Sequence, residues 1–168
     1  MKSRPILALI AVCAIAGCSH PSEAAEVNGQ PIDIDTVGEV NDELRAAGLN
    51  VTPEATLGLL ISARATAPVR TEIPVASDPK LISLAETQLG LADTDYSPAT
   101  GKVVDFFAFI IASQNGIAMP DEVTEVSDAI KNADVDVNPR FGTWEGESGQ
   151  LLPAQSDYLI TPQASPLP

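Results

Sequence analysis

Two cysteines and one histidine supply all the thiols and imidazole of this sequence, and all three stand within its first twenty residues, as Cys13, Cys18 and His20. Acyl transfer by a Ser-His-Asp or Cys-His set needs a base held against its nucleophile, so the chain beyond His20 lacks the parts. His20 has no second histidine or free thiol to help it hold zinc, and it reads as a solvated residue of the polar stretch Ser19 to Ala25. The series Asp134-x-Asp136-x-Asn138, with Glu145 at the twelfth place, imitates a calcium-binding EF-hand loop. Its sixth place, where the loop needs glycine to turn, is Pro139 with φ fixed near −65°. A half-buried strand explains the same alternation of Asp and Val without a metal, and no metal or cofactor is expected.

The remaining candidates could bind and not react. Arg140 lies beside Phe141 and close to Trp144 in a chain poor in bases. It reads as the partner of a nearby aspartate, with recognition of a carboxylate ligand as the alternative. Trp144 either anchors a partner or packs over one end of the fold with its indole N–H bonded. Phe106, Phe107 and Phe109 spread over an arc wider than one helix seam requires, because successive helical residues are about 100° apart. Core packing accounts for that arc, and a binding surface is the alternative. The candidate partner-binding residues are therefore Arg140, Phe141, Trp144 and Phe109.

Cys18 has a covalent chemistry of its own. Lys2 and Arg4 form a positive start, Ile6 to Ile15 an apolar segment too short to stay as a spanning helix, and Ile15-Ala16-Gly17-Cys18 closes it with small residues. This run resembles the bacterial lipobox, which implies cleavage before Cys18 and acylation of its thiol. Residues 1–17 are then a lipoprotein signal peptide and 18–25 a tether. Two acyl chains anchor stably where one binds reversibly, so the chain is expected on the extracytoplasmic face of the cell membrane. With Cys13 removed and Cys18 acylated, no disulfide can form.

Nine bases stand against 23 acids, a net charge of −14, and two of those bases lie in the leader. Nucleic acid is excluded as a partner, because its binding begins with clustered Lys and Arg at phosphates. The same charge repels anionic membrane surface, so attachment falls to the lipid.

The elements that must carry these residues follow from local signals. Asn28-Gly29 suits the tight turn of a hairpin within Glu26–Ile32. Thr36 to Glu39 has the form of a capping box, followed by Val37, Val40, Leu44 and Ala47 at helical spacing up to Gly48. Thr52-Pro53, Asp78-Pro79, Ser97-Pro98 and Pro120 announce four more helices, each with proline at the first helical position. The second is expected to end near Ala67-Pro68, with a connector from Val69 to Ser77. The fourth, carrying Val103, Phe106, Phe107, Ile110 and Ile111, is the most apolar. Val135 and Val137 alternate with Asp134 and Asp136 as a strand whose valines face inward, and 151–168 reads as a mobile, proline-rich tail. The fold class is mainly α: about five helices closed by a small antiparallel sheet that pairs N-terminal and C-terminal strands, in one domain over 26–150.

The Val27-Asn28-Gly29 hairpin, the Thr-capped helix, the further helices and the closing run Val135 to Trp144 together resemble the N-terminal domain of the SurA chaperone family. In particular they are similar to the single-domain SurA-like lipoproteins of actinobacteria, over roughly Glu26 to Trp144. The resemblance implies pairing of the first and last strands and a chaperone role. Prolyl isomerase activity is not expected, since the parvulin domains of longer family members need about a hundred further residues each. The function expected on this basis is that of a lipid-anchored envelope protein that binds unfolded exported polypeptides without catalysis. A scaffold lipoprotein that binds one folded envelope partner through the Arg140 to Trp144 end is the alternative.

Overall fold

The computed structural model describes residues 21–154; Cys18, His20 and the stretch from 155 onward lie outside them. Strand β1 (Glu23–Val27) turns at Asn28 and Gly29, with φ of 51° and 75°, into β2 (Gln30–Asp33). Two successive positive φ values define the turn whose twist matches antiparallel strands, and Asn-Gly adopts it at least cost. Helix α1 (Ile34–Ala46) follows without a break. It starts two residues before the Thr36 box, and the carbonyl of Ser22 accepts from the Ile34 amide at 2.9 Å. The hairpin thus ties down the helix start, and the side-chain cap expected at Thr36 is not used.

Three of the proline signals act as anticipated. Thr52, Asp78 and Ser97 each accept a backbone N–H at the starts of α2 (Pro53–Arg70), α3 (Pro79–Gln88) and α4 (Pro98–Gln114). At α5 (Pro120–Lys131) the Glu122 carboxylate reaches back to the Met119 amide at 2.8 Å. Helix α2, however, continues through Pro68 to Arg70 and does not stop at Ala67. Proline so near the end disturbs only the last turn, and side chains hold that turn. The Thr71 hydroxyl donates to the Pro68 carbonyl at 2.6 Å, while the Arg70 guanidinium bonds back to Thr66 and to the Ala63 carbonyl, each at 3.0 Å. A single 3-10 turn, Pro74–Ser77, occupies the rest of the expected connector.

Strand β3 (Val135–Val137) pairs antiparallel with β1, placing Ala25 opposite Val137 and Val27 opposite Val135. The sheet order is β2-β1-β3, so the first and last strands of this sheet close the helical layer. The architecture is mainly α, with five helices among the described residues and a small antiparallel sheet, as the periodicities require. Burial is graded across the sheet. Central Val27 is fully buried, whereas Val135 and Val137 on the flanking strand are only half-buried, with Asp134 and Asp136 exposed. The expectation of fully inward valines is corrected for this reason: an outer strand has helices against one face and one free side.

The folded part is wider at both ends than 26–150. Ala24 and Ala25 are both buried, because an irregularity in the β1–β2 register after Glu23 turns consecutive residues toward the core. These residues belong to the sheet and not to the tether. Beyond β3, β4 (Thr143–Glu145) and β5 (Gln150–Leu152) form a second hairpin absent from the sequence expectation. It takes Leu151 and Leu152 out of the tail, and Leu151 packs on the core. No helix among the described residues is long and apolar enough to cross a membrane.

The core is built from the facing sides of α2 and α4, with Leu57, Ile61, Val103 and Val104 excluded from solvent. Two polar links fix α1 within it. The Asn41 amide donates to Thr56 on α2 at 2.9 Å. The Glu43 carboxylate accepts from the Ser97 amide at 2.8 Å, from the Ser97 hydroxyl at 3.0 Å and from the Thr100 hydroxyl. Between α3 and the start of α4, the Tyr96 hydroxyl donates to Glu86 at 2.7 Å. That bond, helped by burial and by the Glu86 charge, pushes the phenol up to about 12. The folded chain then keeps a proton that the unfolded chain releases near 10. The stabilisation is complete below 10 and is lost as pH rises toward 12. Ultraviolet titration of phenolate is expected to show a late step that Tyr96→Phe removes.

Candidate functional site

The last turn of α2 decides where the cations of this acidic chain gather. Arg64 and Arg70 stand six residues apart on α2, and Lys102 and Asp105 three residues apart on α4. Together they border a cleft of about 410 Å³ whose rim also includes the β1–β2 turn at Asn28 and Gln30. Three of the nine bases in the sequence therefore meet one acid there. Val27, Ala76 and Ile82 supply apolar wall.

Arg70 is the unusual member, only 6 % exposed. Its Nε donates to the Thr66 hydroxyl and one Nη to the Ala63 carbonyl, and the guanidinium lies 5.7 Å from the centre of the Phe106 ring. No carboxylate within the described residues forms an ion pair with it. Burial lowers its proton affinity from the ordinary value, and the Asp105 charge acts in the opposite direction. Desolvating a cation without a close counter-ion is costly, and here carbonyl, hydroxyl and aromatic contacts supply part of the compensation. Arg64, half-buried, donates to the Pro31 carbonyl at 3.0 Å. This bond caps a backbone acceptor of β2, the outer strand that proline already suits.

The residues singled out from sequence are placed quite differently. Arg140 is exposed and has no acidic partner among the described residues; its guanidinium lies 4.8 Å from the centre of the Phe141 ring. The expected aspartate pairing is replaced by cation–π stacking, which an arginine with an adjacent ring obtains without desolvating a carboxylate. Phe141 itself is buried, as is Phe109 at 3 % exposure, so neither presents its ring to a partner. Phe106 is buried as well and Phe107 half-buried. The wide aromatic arc of α4 is consumed by neighbours on several sides, namely α2, α3 and the 3-10 turn. Trp144 is half-buried with Nε1 closed off from solvent and unbonded among the described residues, contrary to the expected bonded N–H. It borders a hollow of about 430 Å³ beside β3 and Gly142. Asn138 donates through its amide to the Glu23 carbonyl at 3.0 Å, and its side-chain oxygen accepts from the Arg140 amide at 3.3 Å.

Sequence reasoning missed the cationic cleft. Its one signal was the concentration of Arg64, Arg70 and Lys102 within forty residues of a base-poor chain, and ending α2 at Ala67 concealed it. Cys18, expected from the sequence to be acylated, lies outside the described residues. Comparison of the chain with protein-family models, with curated proteins and with solved structures found no match.

Proposed function

We propose that this chain is a lipid-anchored protein of the cell envelope whose folded part binds unfolded exported polypeptides without catalysis, in the manner of a SurA N-terminal domain. The observation that carries the proposal is the antiparallel closure of β1 on β3 over a five-helix layer, the arrangement that the resemblance implies. The binding surface differs from the one expected on α4, whose phenylalanines are occupied. Ile117 and Met119, at 52 % and 64 % exposure in the connector between α4 and α5, offer apolar side chains at the surface. Acidic residues elsewhere keep a loaded complex soluble.

The full chain with Cys18→Ser tests both parts. Loss of the acceptor thiol is expected to move the protein from the membrane fraction to the soluble fraction; unchanged membrane attachment would remove the lipid anchor from the proposal. The soluble protein is expected to slow aggregation of unrelated denatured clients, with Ile117→Ser/Met119→Ser weakening the effect, and to leave prolyl isomerisation rates unchanged. Turnover in the isomerase assay would overturn the non-catalytic part.

A second function is favoured by one observation, the exposed Arg140 guanidinium held over the buried Phe141 ring, four residues before a Trp144 whose indole N–H has no acceptor among the described residues. This end would hold one folded envelope partner. Inactivity toward every denatured client, together with a single partner retained by the wild type and lost on Arg140→Ala, would select it.

A further inference from the structure

We propose that the cleft between the C-terminal turn of α2 and α4 is a binding site for a small aliphatic carboxylate, with Arg70 as its principal anion contact and Arg64 and Lys102 as supporting charges. The site is separate from the client-binding surface and does not depend on it.

Three features converge. The cleft collects three cations against Asp105 in a chain whose net charge is −14, so its local sign is opposite to that of the whole. Field lines from a cationic patch in an otherwise acidic protein guide an anion to that one place. Arg70, itself a lining residue of the cleft, is more than nine-tenths buried, and its Nε and one Nη are bonded, while the second Nη has no hydrogen-bond partner among the described residues. A guanidinium held by its inner N–H groups keeps its outer one oriented, and carboxylate is the acceptor that a planar fork fits best. Finally, the remaining wall is partly apolar through Val27, Ala76 and Ile82, which suits a hydrocarbon portion and gives inorganic anions nothing to bury against.

Asp105 explains why the ligand is small and singly charged. Its charge already acts on Arg70 without forming an ion pair, so it offsets part of the cationic field and penalises a polyanion. The volume of about 410 Å³ is that of a small-molecule site and not of a folded partner.

Hexanoate, hexanamide and inorganic phosphate are the probes, added to the full chain with Cys18→Ser and followed by calorimetry and by the Arg70 Nε–Hε resonance. Hexanoate is expected to bind at least tenfold more tightly than hexanamide and phosphate, to shift the Arg70 side-chain signal, and to weaken as ionic strength rises. Arg70→Met, which exchanges a buried cation for an apolar chain of similar length, is expected to abolish binding and retain the fold. Should that variant fail to fold, Arg64→Gln and Lys102→Gln, whose side chains reach solvent, are each expected to weaken hexanoate about threefold. Equal affinity for hexanoate and hexanamide, phosphate binding as tight as hexanoate, or undiminished affinity in Arg64→Gln/Lys102→Gln would each overturn the site. Client aggregation assays are expected to be unchanged in Arg70→Met, so failure here and failure of client binding are read separately.

Discussion

Val27→Asp is expected to abolish cooperative folding. Val27 is fully buried in the central strand of the β2-β1-β3 sheet, where an ionised carboxylate would lose its water, and of the cations bordering the cleft that Val27 walls, Arg64 and Arg70 already bond the Pro31 and Ala63 carbonyls. An uncompensated buried charge costs about 3–5 kcal/mol, a large share of the about 5–15 kcal/mol that holds a domain together. The same substitution at Val137, directly across from Ala25 on the outer strand and half-buried, is expected to cost about 1–2 kcal/mol and leave a folded protein. Urea denaturation followed by circular dichroism checks both. Two variants with the same midpoint would mean that the burial gradient across the sheet is wrong.

The second large effect is expected at Glu43. Its carboxylate accepts from the Ser97 amide, the Ser97 hydroxyl and the Thr100 hydroxyl, joining α1 to the first turn of α4 across 54 residues of sequence. Ser97 is also the N-cap of α4, its hydroxyl oxygen accepting from the Thr100 amide at 3.3 Å. Glu43→Ala removes the acceptor and strands donors at residues that are themselves buried. Hydrogen bonds to a charged group are worth about 1.5–3 kcal/mol each and are not additive within one cluster, so a loss of about 3–4 kcal/mol is expected. The corresponding fall in melting temperature is about 10–15 °C for a domain of this size. Glu43→Gln, which keeps an acceptor oxygen, is expected to lose about half as much. If Thr100→Val in the Glu43→Ala background cost as much as it does alone, the cluster would not be acting as one unit.

Cationic clefts and capping carboxylates share a property that explains why neither was visible in the residues alone. In a chain with 23 acids, Glu43 has the same local appearance as any solvated glutamate on a helix. Only the approach of α4 gives it three donors. Arg70 likewise follows Pro68, the residue that ordinarily marks a helix end, and its burial depends on the side-chain bonds that carry the last turn past it. The β4–β5 hairpin was missed for a related reason. Its strands are three residues long, too short for a period to emerge, although Gly146 and Gly149 between Trp144 and Leu151 mark the turn.

What the residues determined by themselves is therefore the set of events decided within one helical turn or one hairpin. Thr52-Pro53, Asp78-Pro79 and Ser97-Pro98 start helices because a side-chain oxygen and a preset φ act on amides two or three residues away. Asn28-Gly29 makes its turn because both tolerate positive φ. Those starts, with the apolar periods between them, were enough for five helices and a closing strand. Tertiary structure alone decided which apolar faces were left over and which charges met. It buried Phe109 and Phe141, left Val135 and Val137 half-covered at the side of the sheet, stacked Arg140 on a ring, and brought Arg64, Arg70 and Lys102 to one cleft. The physical reason is range: caps and turns act over a few ångströms of contiguous chain, whereas burial and charge pairing depend on neighbours that only the packed helices supply.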